Sequence, residues 1–149
     1  SSMKIKTWLK YLFYILLITI LIFLKEYVNG LLKADFNQTF RINFYFLAIA
    51  MLINVGIGLF LGLEHLISEI KKAGTWKINV PKIVLMGLPS LYFSLINFIG
   101  YSNNEFLRKI LVDPIVGLLL KYGTAFTPVF QLILGYVVIT SFYKQSEKF

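Results

Sequence analysis

The sequence predicts an all-α, polytopic membrane protein in which four transmembrane helices form a bundle. Hydrophobic residues make up 58% of the 149-residue chain, against about 45–50% in an average soluble protein. Charged residues make up only 15%, which is too few to cover the surface of a soluble domain. Long charge-free stretches also recur at the length that a bilayer requires, about 20 residues. We expect residues 1–149 to form a single integral membrane domain.

The first predicted span covers residues 7–27, and its charge-free core is the shortest of the four. Lysines at both ends can extend toward the headgroups, and aromatic residues lie where an interfacial belt would. These features favour a retained span over a signal peptide. The other predicted spans, which contain charge-free runs long enough to cross the hydrocarbon, cover residues 42–67, 82–101 and 126–143.

The distribution of lysine and arginine predicts the orientation, because basic residues favour the cytoplasmic side. With both termini inside, nine basic residues are cytoplasmic and six are outside. This arrangement predicts that Lys72 and Lys148 lie on the same, cytoplasmic side of a cell membrane. The net charge of +8 then requires no nucleic acid partner, because anionic lipid headgroups attract lysines beside the membrane.

Local signals predict where the second span begins and ends. Asp35 and Gln38 resemble a capping box, which places the start of the helix near Phe36. Basic residues followed by Gly74 are typical of a helix end. The next segment, 76–80, alternates apolar and polar residues and predicts a strand lying in the interface.

The connection between the third and fourth spans predicts short outer helices. Ser102 and Glu105 form a second capping-box match, Asp113 and Pro114 suit another helix start, and Gly123 suits its end. The segment 114–122 is apolar on nearly all sides and too short to cross a bilayer. Two alternatives remain open, an interfacial helix and a re-entrant half-helix between the spans.

Gly58 and Gly62 form a GxxxG pattern, which allows helix backbones to approach closely in lipid. We expect these glycines to mark a helix-packing face. His65 and Glu69 follow on the same face, but two ligands leave a metal site incomplete. The chain has no cysteine and no second histidine to complete it. We therefore predict no metal site, and no cofactor.

Polar residues on the last three spans have two interpretations. Counting depth from the ends of the charge-free runs pairs Asn97 with Gln131, and Asn54 with Ser90. Such pairs are usually packing contacts between helices, and the alternative is the lining of a solute path. The candidate residues for either role are Asn54, Ser90, Ser94, Asn97 and Gln131.

Catalysis within the bilayer is not predicted. No Asp, Glu, Lys or Arg falls inside the four charge-free runs, and intramembrane charges usually mark function. Ser90 and Ser94 have no histidine, lysine or acid at their depth to act as a base. We therefore predict no catalytic residue and no enzymatic activity.

The leading hypothesis is a non-catalytic, multi-pass membrane protein that acts through helix, lipid or partner-protein contacts. Its expected partners are anionic lipid headgroups and either a second copy or a larger membrane complex. The alternatives are a small oligomeric transporter or channel, and an interfacial lipid-modifying enzyme. The residues expected to contact the headgroups are Lys71, Lys72, Lys77 and Lys82.

Overall fold

The computed structural model describes residues 2–146, so Lys148 lies outside the described part. The structure is all-α in class, with about 80% of its residues in helices. It divides into two compact units that meet in the sequence between Ile53 and Asn54. The single integral membrane domain stays a prediction.

The first unit contains helix α1, Ser2–Thr39, and the start of helix α2, Phe44–Ile70. The 38 residues of α1 rise about 57 Å, nearly twice the thickness of the hydrocarbon. The helix contains the predicted span of 7–27 and continues beyond it through Asn29 and Gly30 to Thr39. The helix ends where Phe40 adopts a left-handed φ of 56°.

The predicted start of the second helix near Phe36 was wrong, because Asp35 and Gln38 lie inside α1. The N-cap is Asn43, whose Oδ1 accepts the backbone N–H of Tyr45 at 2.9 Å and that of Phe46 at 3.4 Å. Asparagine is as good a cap as aspartate. The helix that it starts ends at Ile70.

The second unit continues with one long helix that changes its winding. Helix α3, Val80–Lys82, leads into a π-helical segment, Ile83–Gly87, and then into α4, Leu88–Gly100. Pro89 lies in the first turn of α4. It has no N–H to donate to a carbonyl of the preceding turn. A π-helical segment is one way for a helix to accommodate such a break.

Three short segments connect α4 to the last helix. They are helix α5, Glu105–Leu111, a 3₁₀ turn, Asp113–Ile115, and helix α6, Val116–Tyr122. The predicted capping box at Ser102 was wrong: the cap of α5 is Asn104, whose Oδ1 accepts from the N–H of Leu107 at 3.2 Å. The hydroxyl of Ser102 donates instead to the carbonyl of Ile99.

Gly123, with a φ of 74°, ends α6 as the sequence predicts. Helix α7 then covers Thr127–Thr140 and is bent by 117° from the segment Asp113–Tyr122. The predicted fourth span, 126–143, was therefore too long. The 14 residues of α7 rise only about 21 Å, which is less than the hydrocarbon thickness.

Three of the described helices are long and apolar enough to cross a membrane: Lys4–Thr39, Phe44–Ile70 and Val80–Gly100. The count becomes four if the bent pair that includes α7 forms one span. The chain thus has the helices of a membrane protein.

A small antiparallel sheet joins the ends of α2 and α7. Strand β1, Thr75–Ile78, pairs with strand β2, Phe142–Gln145, so that Thr75 lies opposite Gln145 and Ile78 opposite Phe142. The sequence predicts a strand at 76–80 but a helix through residue 143. The start of α3 at Val80 therefore shortens the first strand, and β2 replaces the end of the predicted helix.

Candidate functional site

A chain of hydrogen bonds between buried polar groups joins three helices of the second unit. The side-chain amide of Asn54 on α2 donates to Oε1 of Gln131 on α7 at 2.7 Å. Nε2 of Gln131 donates in turn to the carbonyl oxygen of Ser94 on α4 at 3.1 Å. All three residues are at most 4% exposed. The side chain of Gln131 thus uses both its acceptor and its donor inside the protein.

This arrangement corrects the pairing predicted from depth. Within residues 2–146, Gln131 bonds to Asn54 and to Ser94, not to Asn97. Asn97 lies half-buried one turn after Ser94. Ser90 is buried, and its carbonyl accepts from the Ser94 hydroxyl at 2.5 Å. Asn54, the partner predicted for Ser90, bonds to Gln131 instead.

Three glycines bring α2 and α7 into close contact. A Cβ on Gly58 would lie 2.0 Å from the carbonyl oxygen of Leu132, and a Cβ on Gly135 would lie 2.1 Å from that of Val55. Both obstructing atoms belong to the backbone, so no larger residue fits without separating the helices. A Cβ on Gly62 would lie 2.3 Å from a methyl group of Ile139.

The end of α2 is bound to strand β2 through side chains. The buried carboxylate of Glu69 accepts the backbone N–H of Lys144 at 3.0 Å and the ammonium of Lys72 at 2.9 Å. The ammonium of Lys144 donates at 2.9 Å to the carbonyls of Ile70 and Lys72. These carbonyls are among those that a helix end leaves without partners.

His65 belongs to the same connection, because its Nε2 lies 3.2 Å from the carbonyl oxygen of Phe142. His65 and Glu69 thus contact β2 rather than a common ligand. Among residues 2–146, no three His, Cys, Asp or Glu side chains form a group that could hold a metal. The buried hydroxyls of Ser94 and Ser141 donate to main-chain carbonyls one turn earlier. Neither of these bonds involves a side chain that could act as a general base.

The four lysines predicted to contact headgroups lie near this sheet and differ in exposure and in bonding. Lys71 and Lys77 are exposed. Lys72 is exposed as well but pairs with Glu69. Lys82 is half-buried, and its ammonium lies 2.6 Å from the hydroxyl of Thr140 and 5.4 Å from the centre of the Tyr136 ring.

The opposite end of α7 borders an apolar cavity of about 290 Å³. Its walls come from α4, α6 and α7, with one residue from the preceding 3₁₀ turn. The ring of Phe93 stacks on Phe130 at 4.7 Å and meets Phe126 edge-on at 5.5 Å. The lining residues are Phe93, Ile115, Leu118, Leu119, Tyr122, Phe126 and Phe130.

Sequence reasoning missed three features of this unit. The packing contact of Gly135 was not predicted, although Thr127, Gln131 and Gly135 follow one another at steps of four. Glu69 was considered as a metal ligand, and its contact with β2 had no local signal. The cavity depends on the bend between α6 and α7. Gly123 predicted the end of α6 but not the angle to the next helix.

No family model, curated protein or solved structure matches the chain.

Proposed function

We propose that this protein is a non-catalytic, multi-pass membrane protein that acts through contacts with anionic lipids and with other membrane proteins. In this proposal α1, α2, the helix Val80–Gly100 and α7 form a four-helix bundle. Helices α5 and α6 lie in the outer interface. Both termini lie on the cytoplasmic side of a cell membrane, following the distribution of basic residues.

The observation that carries the proposal is the bonding of Gln131 to Asn54 and Ser94. A solute path needs polar groups that are free to bind the solute or water. Here the acceptor and a donor of Gln131 are used between helices, and Ser94 is fully buried. Gly58 and Gly135 close the adjoining helix contact. This geometry supports packing over transport.

The sheet supports the lipid contacts. It connects the ends of three apolar helices, which is consistent with a position at the boundary of the hydrocarbon. Trp76, Ile78 and Phe142 share one face of the sheet and are exposed, as interfacial aromatic and aliphatic residues are. Lys71, just after α2, and Lys77, on the other face of the sheet, are exposed, and each lysine at an anionic leaflet contributes about 1 kcal/mol of attraction.

A double-mutant cycle on Asn54 and Gln131 tests the packing role. We expect Asn54→Leu and Gln131→Leu each to lower the free energy of unfolding in mild detergent. Asn54→Leu leaves the buried Oε1 of Gln131 without its donor, and Gln131→Leu leaves the buried amide of Asn54 without this acceptor. The two changes should couple by about 0.5–2 kcal/mol. Asn97→Leu, which has no bond to Gln131, is the matched control and should not couple with Gln131→Leu.

Flux through liposomes that contain the wild-type protein tests the transport alternative. We expect no flux of ions or small polar solutes above that of empty liposomes. Coupling near zero between Asn54 and Gln131, together with flux that Asn54→Leu abolishes, would replace the proposal with a transporter.

A further inference from the structure

The apolar cavity beside α7 has the form of a binding site. It has a volume of about 290 Å³, close to the lower end of the range for small-molecule sites. The stacked rings of Phe93 and Phe130 form one wall. Leu119 of α6 lines the opposite side. No charged residue lines it, so it suits a hydrocarbon chain and not a polar solute.

The cavity is open to the surroundings on the side of α6. Leu118 and Tyr122 line it, yet they are 58% and 64% exposed. A ligand can therefore enter along α6 without unfolding the helix. Because α6 is part of an apolar, bent segment, the surroundings that supply the ligand are the lipids beside the protein.

A positive charge lies at the rim of the cavity. The ammonium of Lys121 is 5.2 Å from the centre of the Tyr122 ring, and that ring lines the cavity. Lys121 itself is exposed. An apolar cavity with a cation at its rim is complementary to an amphiphile that has an acyl chain and an anionic headgroup.

The chemistry of the cavity and its rim indicates the occupant. The walls are apolar side chains, and the rim carries the ammonium of Lys121. A membrane lipid supplies both parts of the complement, an acyl chain for the walls and an anionic headgroup for the lysine.

We propose that the cavity between α4, α6 and α7 binds one acyl chain of an anionic membrane lipid, with its headgroup at Lys121. This site lies at the end of α7 away from the sheet. It is therefore separate from the headgroup contacts of Lys71 and Lys77.

Photolabelling of the full chain in nanodiscs tests the site. The probes are a phosphatidylglycerol and a phosphatidylcholine, each with a diazirine in one acyl chain, and mass spectrometry locates the labelled residues. We expect the phosphatidylglycerol probe to label α6 and the start of α7. Leu119→Trp fills part of the cavity and should lower this labelling about tenfold, roughly the effect of keeping two methylene groups of the lipid from burial.

Leu120→Trp is the matched control, because Leu120 is the next residue and is 83% exposed. It should label as the wild type does. Lys121→Gln changes only an exposed side chain, so its fold should be retained, and it should lower labelling by phosphatidylglycerol about fivefold. Labelling by phosphatidylcholine should be weaker than by phosphatidylglycerol and unaffected by Lys121→Gln.

Equal labelling of the Leu119→Trp and Leu120→Trp variants would overturn the acyl-chain site. Equal labelling by the two probes, with no effect of Lys121→Gln, would overturn the anionic headgroup. Melting curves of all three variants in detergent accompany the experiment. If Leu119→Trp unfolds, the Lys121→Gln variant decides the test: phosphatidylglycerol labelling equal to that of the wild type would overturn the proposal.

Discussion

The carboxylate of Glu69, next to the last residue of α2, accepts the backbone N–H of Lys144 in β2 at 3.0 Å. Lys144 returns the contact through its ammonium, which binds the carbonyl of Ile70 and lies 5.0 Å from the centre of the Trp76 ring. The two residues thus hold the end of one membrane helix, the strand that follows it and the strand that follows α7.

Replacement of Glu69 by leucine should loosen the sheet while leaving the helices intact. The N–H of Lys144 and the ammonium of Lys72 would both lose their acceptor. We expect faster hydrogen exchange in β1 and β2, and unchanged exchange around Ile96 in the core of α4, measured by mass spectrometry in detergent. Ser68→Ala, at the exposed neighbouring position, is the control. Unchanged protection of both strands would show that Glu69 does not hold them.

Replacement of Gly58 or Gly135 by alanine should lower the melting temperature in detergent. Each new methyl group would meet a backbone carbonyl at about 2 Å, and overpacking of this kind costs about 1–3 kcal/mol. Gly56→Ala is the control on the same helix, because no atom lies within 4 Å of its Cβ position. A melting temperature equal to that of Gly56→Ala would mean that α2 and α7 do not touch there.

Gly62→Ala should cost less than Gly58→Ala. The atoms that a Cβ would meet belong to the side chains of Ile139 and Thr140, and side chains can rotate where a backbone carbonyl cannot. The same melting experiment measures this order. A larger loss at Gly62 than at Gly58 would contradict it.

Pairing of β1 with β2 predicts that residues 77 and 145 lie on one side of the membrane. The chain has no cysteine, so Lys77→Cys and Gln145→Cys each introduce a single label site. We expect neither to react with an impermeant maleimide added to intact cells, and Asn103→Cys to react. All three should react after permeabilisation. Labelling of Lys77→Cys or Gln145→Cys from outside would reverse the proposed orientation.

Trp76 should lie at the level of the lipid headgroups. The chain has only two tryptophans, so Trp8→Phe leaves Trp76 as the single emitter. We expect lipids brominated near the headgroup to quench its fluorescence more than lipids brominated near the end of the chain. Stronger quenching by the deep bromine would place the sheet inside the hydrocarbon, and no quenching would place it in water.

The sequence predicted the features that depend on local composition. Apolar stretches of sufficient length indicated the helices, and Gly123 indicated the end of α6 without reference to the rest of the fold. Features that depend on a distant partner were wrong or absent. Phe142–Gln145 is apolar enough to continue a helix and becomes a strand only because Thr75–Ile78 pairs with it.

The pairing of Gln131 shows why depth could not be counted from the sequence. The count started at the ends of the charge-free runs and assumed that these ends lie at one level. Helix α7 begins at Thr127 and α4 ends at Gly100, close to the ends used for the count. Gln131 nevertheless bonds to Ser94, one turn further from the end of α4 than Asn97. The offset between the two helices is set by their packing and has no local signal in the sequence.

The pairing of β1 with β2 also has a consequence for the order of assembly. About 60 residues separate the two strands in the sequence, and they contain α3–α7. During synthesis the end of α2 emerges long before Lys144. The carbonyl of Ile70 and the buried carboxylate of Glu69 therefore have no contact with β2 until α7 has been made. The sheet can close only after α7 has been synthesised, so the second unit completes its contacts late.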